Sequence, residues 1–151
     1  MQEALDYLYK VETMQPDSLN LLLQIGQCLA SLHMYDKALS YFFKVEYMET
    51  APANAQRAIG WCYFMTGKYA EAARFFDKLQ QADEVLTSDW LNAGHVYLAQ
   101  NNIPKALECY RQAESHCQSH DEFIQLYLAD KEALLQQGIS EDNIYLVPDM
   151  L

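Results

Sequence analysis

AIGWCYFMTGKYAEA, residues Ala58 to Ala72, is the stretch on which the fold turns. It reads as two helices around a turn, yet it sets a glycine, Gly60, inside the first helix and beside a large aromatic, Trp61. Glycine in a helix interior costs about 1 kcal/mol relative to alanine, so a compensating contact is expected. Working outward, Gly26, Gly60 and Gly94 lie 34 residues apart and make up three of the five glycines. The same interval relates Ala38, Ala72 and Ala106, relates Phe42, Phe76 and Tyr110, and pairs Tyr35 with Tyr69. Independent positions sharing one period are the mark of a repeat.

Within each unit the apolar residues recur at three and four, the spacing of a helix face. Leu22, Ile25 and Leu29 are followed by Ile59 and Tyr63, then by Trp90, Ala93 and Tyr97. A second helix follows each time, through Ala38, Phe42 and Val45, through Ala72, Phe76 and Leu79, and through Ala106, Tyr110 and Ala113. Each unit is therefore a helical hairpin. The link between its helices places His33, Gly67 and Asn101 at one equivalent position, where a left-handed residue ends the first helix. Pro104 fits the first turn of the next helix. The three glycines are expected to face Ala38, Ala72 and Ala106, letting the two helix axes approach closely.

In WLNAGHVY (Trp90 to Tyr97), IGWCY (Ile59 to Tyr63) and AEAARFF (Ala70 to Phe76), the chain resembles the tetratricopeptide repeat family. That family is a 34-residue helix–turn–helix with the pattern W-x2-L-G-x2-Y, A-x3-F, P. Leu29 replaces the expected tyrosine, and the closing proline is absent from the second and third units. The resemblance implies an all-α fold, an α-solenoid with a right-handed superhelix. One array over 1–151 is expected, with repeats at 19–52, 53–86 and 87–120.

The ends extend the pattern. MQEALDYLYKVE aligns with YDKALSYFFKVE, 34 residues on, so residues 1–15 are read as the second helix of an incomplete repeat. That helix is expected to present Leu5, Leu8 and Val11 to a missing repeat or to a second copy; the alternative is a half-repeat lying on the next helix as a cap. Residues 121–151 are expected to form a capping helix over 121–137, with Leu128 in the glycine's register, and a short tail segment. Gly138 ends that helix and Ser140 caps the tail.

Composition narrows the partners. The net charge of −11, with only ten Lys and Arg, argues against nucleic acid. The longest apolar run, LNLLLQIGQCLA, falls short of a membrane span. The start has no signal-peptide pattern, which gives a cytoplasmic expectation. Cys28 and Cys62 read as reduced core residues. ESHCQSHDE, with His116, Cys117, His120 and Asp121, carries metal-binding residue types but lies where a loop is expected and lacks a paired C-x2-C. His95 reads as a groove or core histidine. No phosphate loop, nucleophile elbow or H-E-x-x-H occurs, so neither catalysis nor a cofactor or metal is expected.

A further stripe runs along each first helix. It passes through Asn20, Leu23, Gln27 and Ala30, through Asn54, Arg57, Trp61 and Phe64, and through Ser88, Leu91, His95 and Leu98. The last helix contributes Glu122, Gln125, Ala129 and Glu132. By resemblance, this stripe lines the concave face on which such arrays grip partner segments. Only Arg57 on it is cationic, which does not match the Lys- and Arg-rich clamp by which some members hold a carboxylate. The partner expected is a protein or peptide with apolar anchors and a basic end. From residue 117 on, Asp121, Glu122, Asp130, Glu132, Glu141, Asp142 and Asp149 stand against Lys131 alone. A scaffold or adaptor role is expected. A small chaperone for secretion substrates and a regulatory or metal-binding segment of a larger protein are the alternatives.

Overall fold

The 34-residue period becomes a succession of short helices in the computed structural model, which describes residues 2–15, 18–48 and 53–151. Among these residues the helices are α1 (Gln2–Glu12), α2 (Leu19–Ser31), α3 (Tyr35–Glu46), α4 (Ala53–Met65) and α5 (Tyr69–Gln80). They continue as α6 (Thr87–Ala99), α7 (Ile103–Ser115), α8 (His120–Ala129), α9 (Lys131–Gln136) and α10 (Glu141–Asp149). The end of the first expected repeat, 49–52, and residues 16 and 17 of the link before it lie outside the described residues. The chain forms two compact units, Met1–Thr66 and Gly67–Leu151.

Local chemistry sets the helix ends. His33 and Asn101 take positive φ (59° and 60°), as does Gly67 (77°), the three positions the repeat assigns to the turn. The amide of Met34 reaches back to the Leu29 carbonyl and that of Asn102 to the Tyr97 carbonyl, both at 2.9 Å, so orphan carbonyls of the first helix are satisfied. Gly138 (φ 84°) ends α9 in the same way. Starts are capped by side chains: Ser18 accepts from the Leu21 amide, Asn102 from Lys105, Ser119 from Glu122 and Ser140 from Asn143. Pro104 sits in the first turn of α7.

In the first unit α1 lies on α2, α2 packs against α3, α3 against α4, and α2 also touches α4. Leu22, Val45 and Ala55 form a buried cluster, with Leu19, Leu23, Tyr41 and Met48 packed around it. Leu5 is only 2% exposed, so the chain itself covers this residue, which corrects the expectation for it; Leu8 and Val11 are half-buried. Tyr41 donates to Glu12 Oε1 at 3.0 Å, and its ring lies 6.5 Å from that of Tyr9, so α1 is also pinned to α3.

In the second unit α5 packs on α6 and α6 on α7, and the chain continues through α8, α9 and α10. Tyr110, Phe123 and Tyr127 build an aromatic core; the Tyr110 and Tyr127 rings meet edge-on at 5.3 Å and Phe123 stacks on Tyr127 at 5.8 Å. The Tyr127 hydroxyl donates to the Ile144 carbonyl at 2.8 Å, tying α10 to α8. The helix expected over 121–137 is instead broken at Asp130. The Asp130 carboxylate lies 3.0 Å from Nε2 of His95, and aspartate competes poorly for a helix interior, so this polar contact is made at a helix junction.

Two of the three repeat glycines have a close neighbour, though not the one the sequence suggested. A Cβ on Gly26 would fall 2.5 Å from the Phe42 ring, and one on Gly94 would fall 2.5 Å from the Tyr110 ring. The partner of each is the aromatic one helical turn beyond the expected alanine. Both rings are at most 1% exposed, so a shift of either disturbs its packing.

Candidate functional site

The first unit contains a cavity of about 490 Å³ between α2 and α4. Five residues of the expected stripe line it: Gln27 and Ala30 from α2, and Asn54, Arg57 and Trp61 from α4. Three-and-four spacing places the α4 residues on one face. Trp61 is half-buried, its ring 5.3 Å from that of Phe64, so part of the indole is fixed and part faces out. Arg57 donates to Asn54 Oδ1 at 3.2 Å, which steadies the cation at the rim. Gln27 and Asn54 are exposed. The arrangement offers a partly open aromatic face, a cation and carboxamides that both donate and accept.

Sequence reasoning missed the floor. Ser31, Phe42, Ala58 and Cys62 also line the cavity. Phe42 reaches it because Gly26 leaves room for the ring, a signal present in the 34-residue register but assigned to alanine instead. Cys62 is buried and its thiol pKa is pushed up to about 12 by desolvation, so it contributes surface rather than a nucleophile.

Other stripe residues are placed differently. Asn20 is exposed, while Leu23 packs beside the Leu22 cluster. Phe64 is fully buried and Leu91 and His95 are at most 5% exposed, so these three do not present an open face, while Leu98 is 7% exposed. The side chains of Phe64, Leu91 and His95 lie in packing contacts. His95 is held in an internal chain of hydrogen bonds, its Nδ1 2.8 Å from the Tyr110 hydroxyl and its Nε2 paired with Asp130. Burial drives the Tyr110 hydroxyl pKa well above its ordinary value, so this chain carries a neutral phenol. Ser88, Gln125 and Glu132 are exposed, and Glu122 accepts from the Gln118 amide at 2.8 Å.

The loop that carried metal-binding residue types is engaged internally. His116 Nδ1 lies 2.7 Å from the Gln112 carbonyl, His120 lies 3.2 Å from Glu114, and Cys117 donates to the Ala113 carbonyl. No group of three His, Cys, Asp or Glu suited to a metal occurs among the described residues. No helix among them is long and apolar enough to cross a membrane.

The sequence matches the tetratricopeptide repeat signature over residues 17–85 and again over 90–115. No curated protein matches it. Solved structures do resemble it: a crystal structure of MamA is 21% identical, with a TM-score of 0.72, covering 97% of this chain and 83% of MamA. YrrB, described as a TPR protein with an unusual peptide-binding site, is 17% identical, with a TM-score of 0.65, covering 95% of this chain and 80% of YrrB. The repeat period, the paired left-handed turns, the all-helical fold of the α-solenoid class and these matches agree: the chain belongs to the tetratricopeptide repeat family.

Proposed function

We propose that this chain is a protein-interaction module that binds a partner segment in the α2–α4 cavity, with Trp61 as the apolar anchor and Arg57, Asn54 and Gln27 as polar contacts. The observation that carries the reading is that cavity: five residues of the expected stripe meet around about 490 Å³ with a half-exposed indole among them. The family is one of interaction modules, and YrrB is a member with a peptide-binding site. The partner carries an apolar residue for the indole and basic residues elsewhere, because a chain of net charge −11 attracts cationic segments and repels acidic ones. The work done is that of a scaffold or adaptor.

The test is selection of peptides from a random library against the intact chain, followed by affinity measurement on variants. Trp61→Ala is expected to weaken the selected peptides by about 2 kcal/mol, or about thirtyfold. Arg57→Ala is expected to cost less, since its contact is at the rim. Peptides bound equally well by the Trp61→Ala protein would place recognition elsewhere. Acidic and basic versions of one apolar peptide bound with equal strength would remove the charge argument.

A further inference from the structure

A second concave surface lies within the second unit, built from other residues. A groove of about 520 Å³ runs between the α6–α7 turn and α10, with Leu98, Ile103, Ile139, Leu146, Val147 and Met150 as its apolar lining. Val147 and Leu98 form a buried floor, whereas Leu146 is 52% and Met150 43% exposed. Two large apolar side chains therefore stand open on the lip of an already concave surface.

Charge says what fits. Lys131, the only cation after residue 117, is occupied: its Nζ donates to Glu141 at 3.0 Å and to the Tyr145 hydroxyl at 2.7 Å. Arg111 is turned onto the Met150 carbonyl at 3.3 Å. Asp142 and Asp149 are exposed, and neither pairs with a cation among the described residues. They lie seven positions apart with Leu146 between them, on one face of α10. At 1.5 Å per residue that is about 10 Å, with a carboxylate at each end and an apolar side chain in the middle.

We propose that this groove docks an amphipathic helix of another protein, with apolar residues against Leu146 and Met150 and a Lys or Arg facing each of Asp142 and Asp149. A helix suits better than an extended strand. The lip is itself a helix with side chains at three-and-four spacing, into which the ridges of a second helix pack, and a partner helix of equal rise brings cations seven positions apart into register with both carboxylates. The site does not depend on the Trp61 cavity.

The test uses the intact chain and a labelled, blocked, alanine-based helical peptide with two central leucines and two lysines seven positions apart, followed by fluorescence anisotropy. The lysine peptide is expected to bind, and its counterpart with glutamates in place of the lysines to bind at least tenfold more weakly. The double variant Asp142→Asn, Asp149→Asn is expected to weaken the lysine peptide about fivefold. Leu146→Ser is expected to weaken it about tenfold or more. Both substitutions are at exposed positions, and circular dichroism of each variant verifies the fold. Trp61→Ala is expected to leave this binding unchanged, which separates failure here from failure of the other site. Equal binding of the two peptides, loss of binding on Trp61→Ala, or indifference to Leu146→Ser would each overturn the proposal. So would a concentration-dependent mass of the chain that Leu146→Ser abolishes, since the occupant would then be a second copy.

Discussion

Phe42→Ala is expected to destabilise the protein by about 3–5 kcal/mol, the range for emptying a buried aromatic site, and to reverse the sign of a second substitution. The ring is 1% exposed and lies where a Cβ on Gly26 would stand, 2.5 Å from its edge. In the native background Gly26→Ala forces an overlap that a close-packed core relieves only by displacing the ring or the helix, which costs about 1–3 kcal/mol. With Phe42 already alanine the overlap is gone. The same Gly26→Ala change then gains about 1 kcal/mol from helix propensity. Urea unfolding of the four proteins measures this cycle, provided the slopes agree. A coupling near zero, with Gly26→Ala equally costly in both backgrounds, would show that the glycine is kept for another reason.

Tyr110→Ala is expected to cost a similar 3–5 kcal/mol in the second unit. Tyr110 is fully buried, closes against a Cβ position on Gly94, and contacts the Phe123 and Tyr127 rings. Its hydroxyl also meets His95 Nδ1, so Tyr110→Phe keeps the shape and isolates the polar term. That milder change is expected to cost about 1–2 kcal/mol, because a buried ring nitrogen loses one of its partners. Thermal unfolding with the two variants side by side reads the difference. A Tyr110→Phe protein as stable as the native one would mean that the His95 hydrogen bond contributes nothing net.

The hairpins, their turns and their order were legible in the sequence because each rests on a local rule repeated at a fixed interval. His33, Gly67 and Asn101 look unlike one another, but a common register and a common demand for positive φ identify them. The glycine partner was misplaced by one helical turn because periodicity gives the helix face, not the height at which a side chain crosses to its neighbour. Leu5 was misread for a related reason. An apolar stripe on a terminal helix shows that a face is buried, not whether the chain itself buries it.

The cavity lining was legible where one stripe ran past the hairpin contact, at Asn54, Arg57 and Trp61, and the burial of Leu91 and His95 was not. In α6 every residue from Ala93 to Leu98 is buried, so the expected stripe is closed over along that stretch. The α10 groove gave weaker warning. Apolar Val147 and Met150 near the end of the sequence suggested packing, but the groove needs Gly138 and Asn101 to bring two distant turns together, a long-range juxtaposition that no local pattern encodes.

Trp61 is the proposed contact for a partner segment. The chain has two tryptophans, Trp61 and Trp90, so Trp90→Phe leaves Trp61 as the sole indole reporter. Its emission is recorded while a library-selected peptide is titrated to saturation. A saturable blue shift that tracks the independently measured binding curve is expected, as the exposed part of the ring leaves water. Full binding of the peptide with unchanged Trp61 emission would contradict the proposed contact.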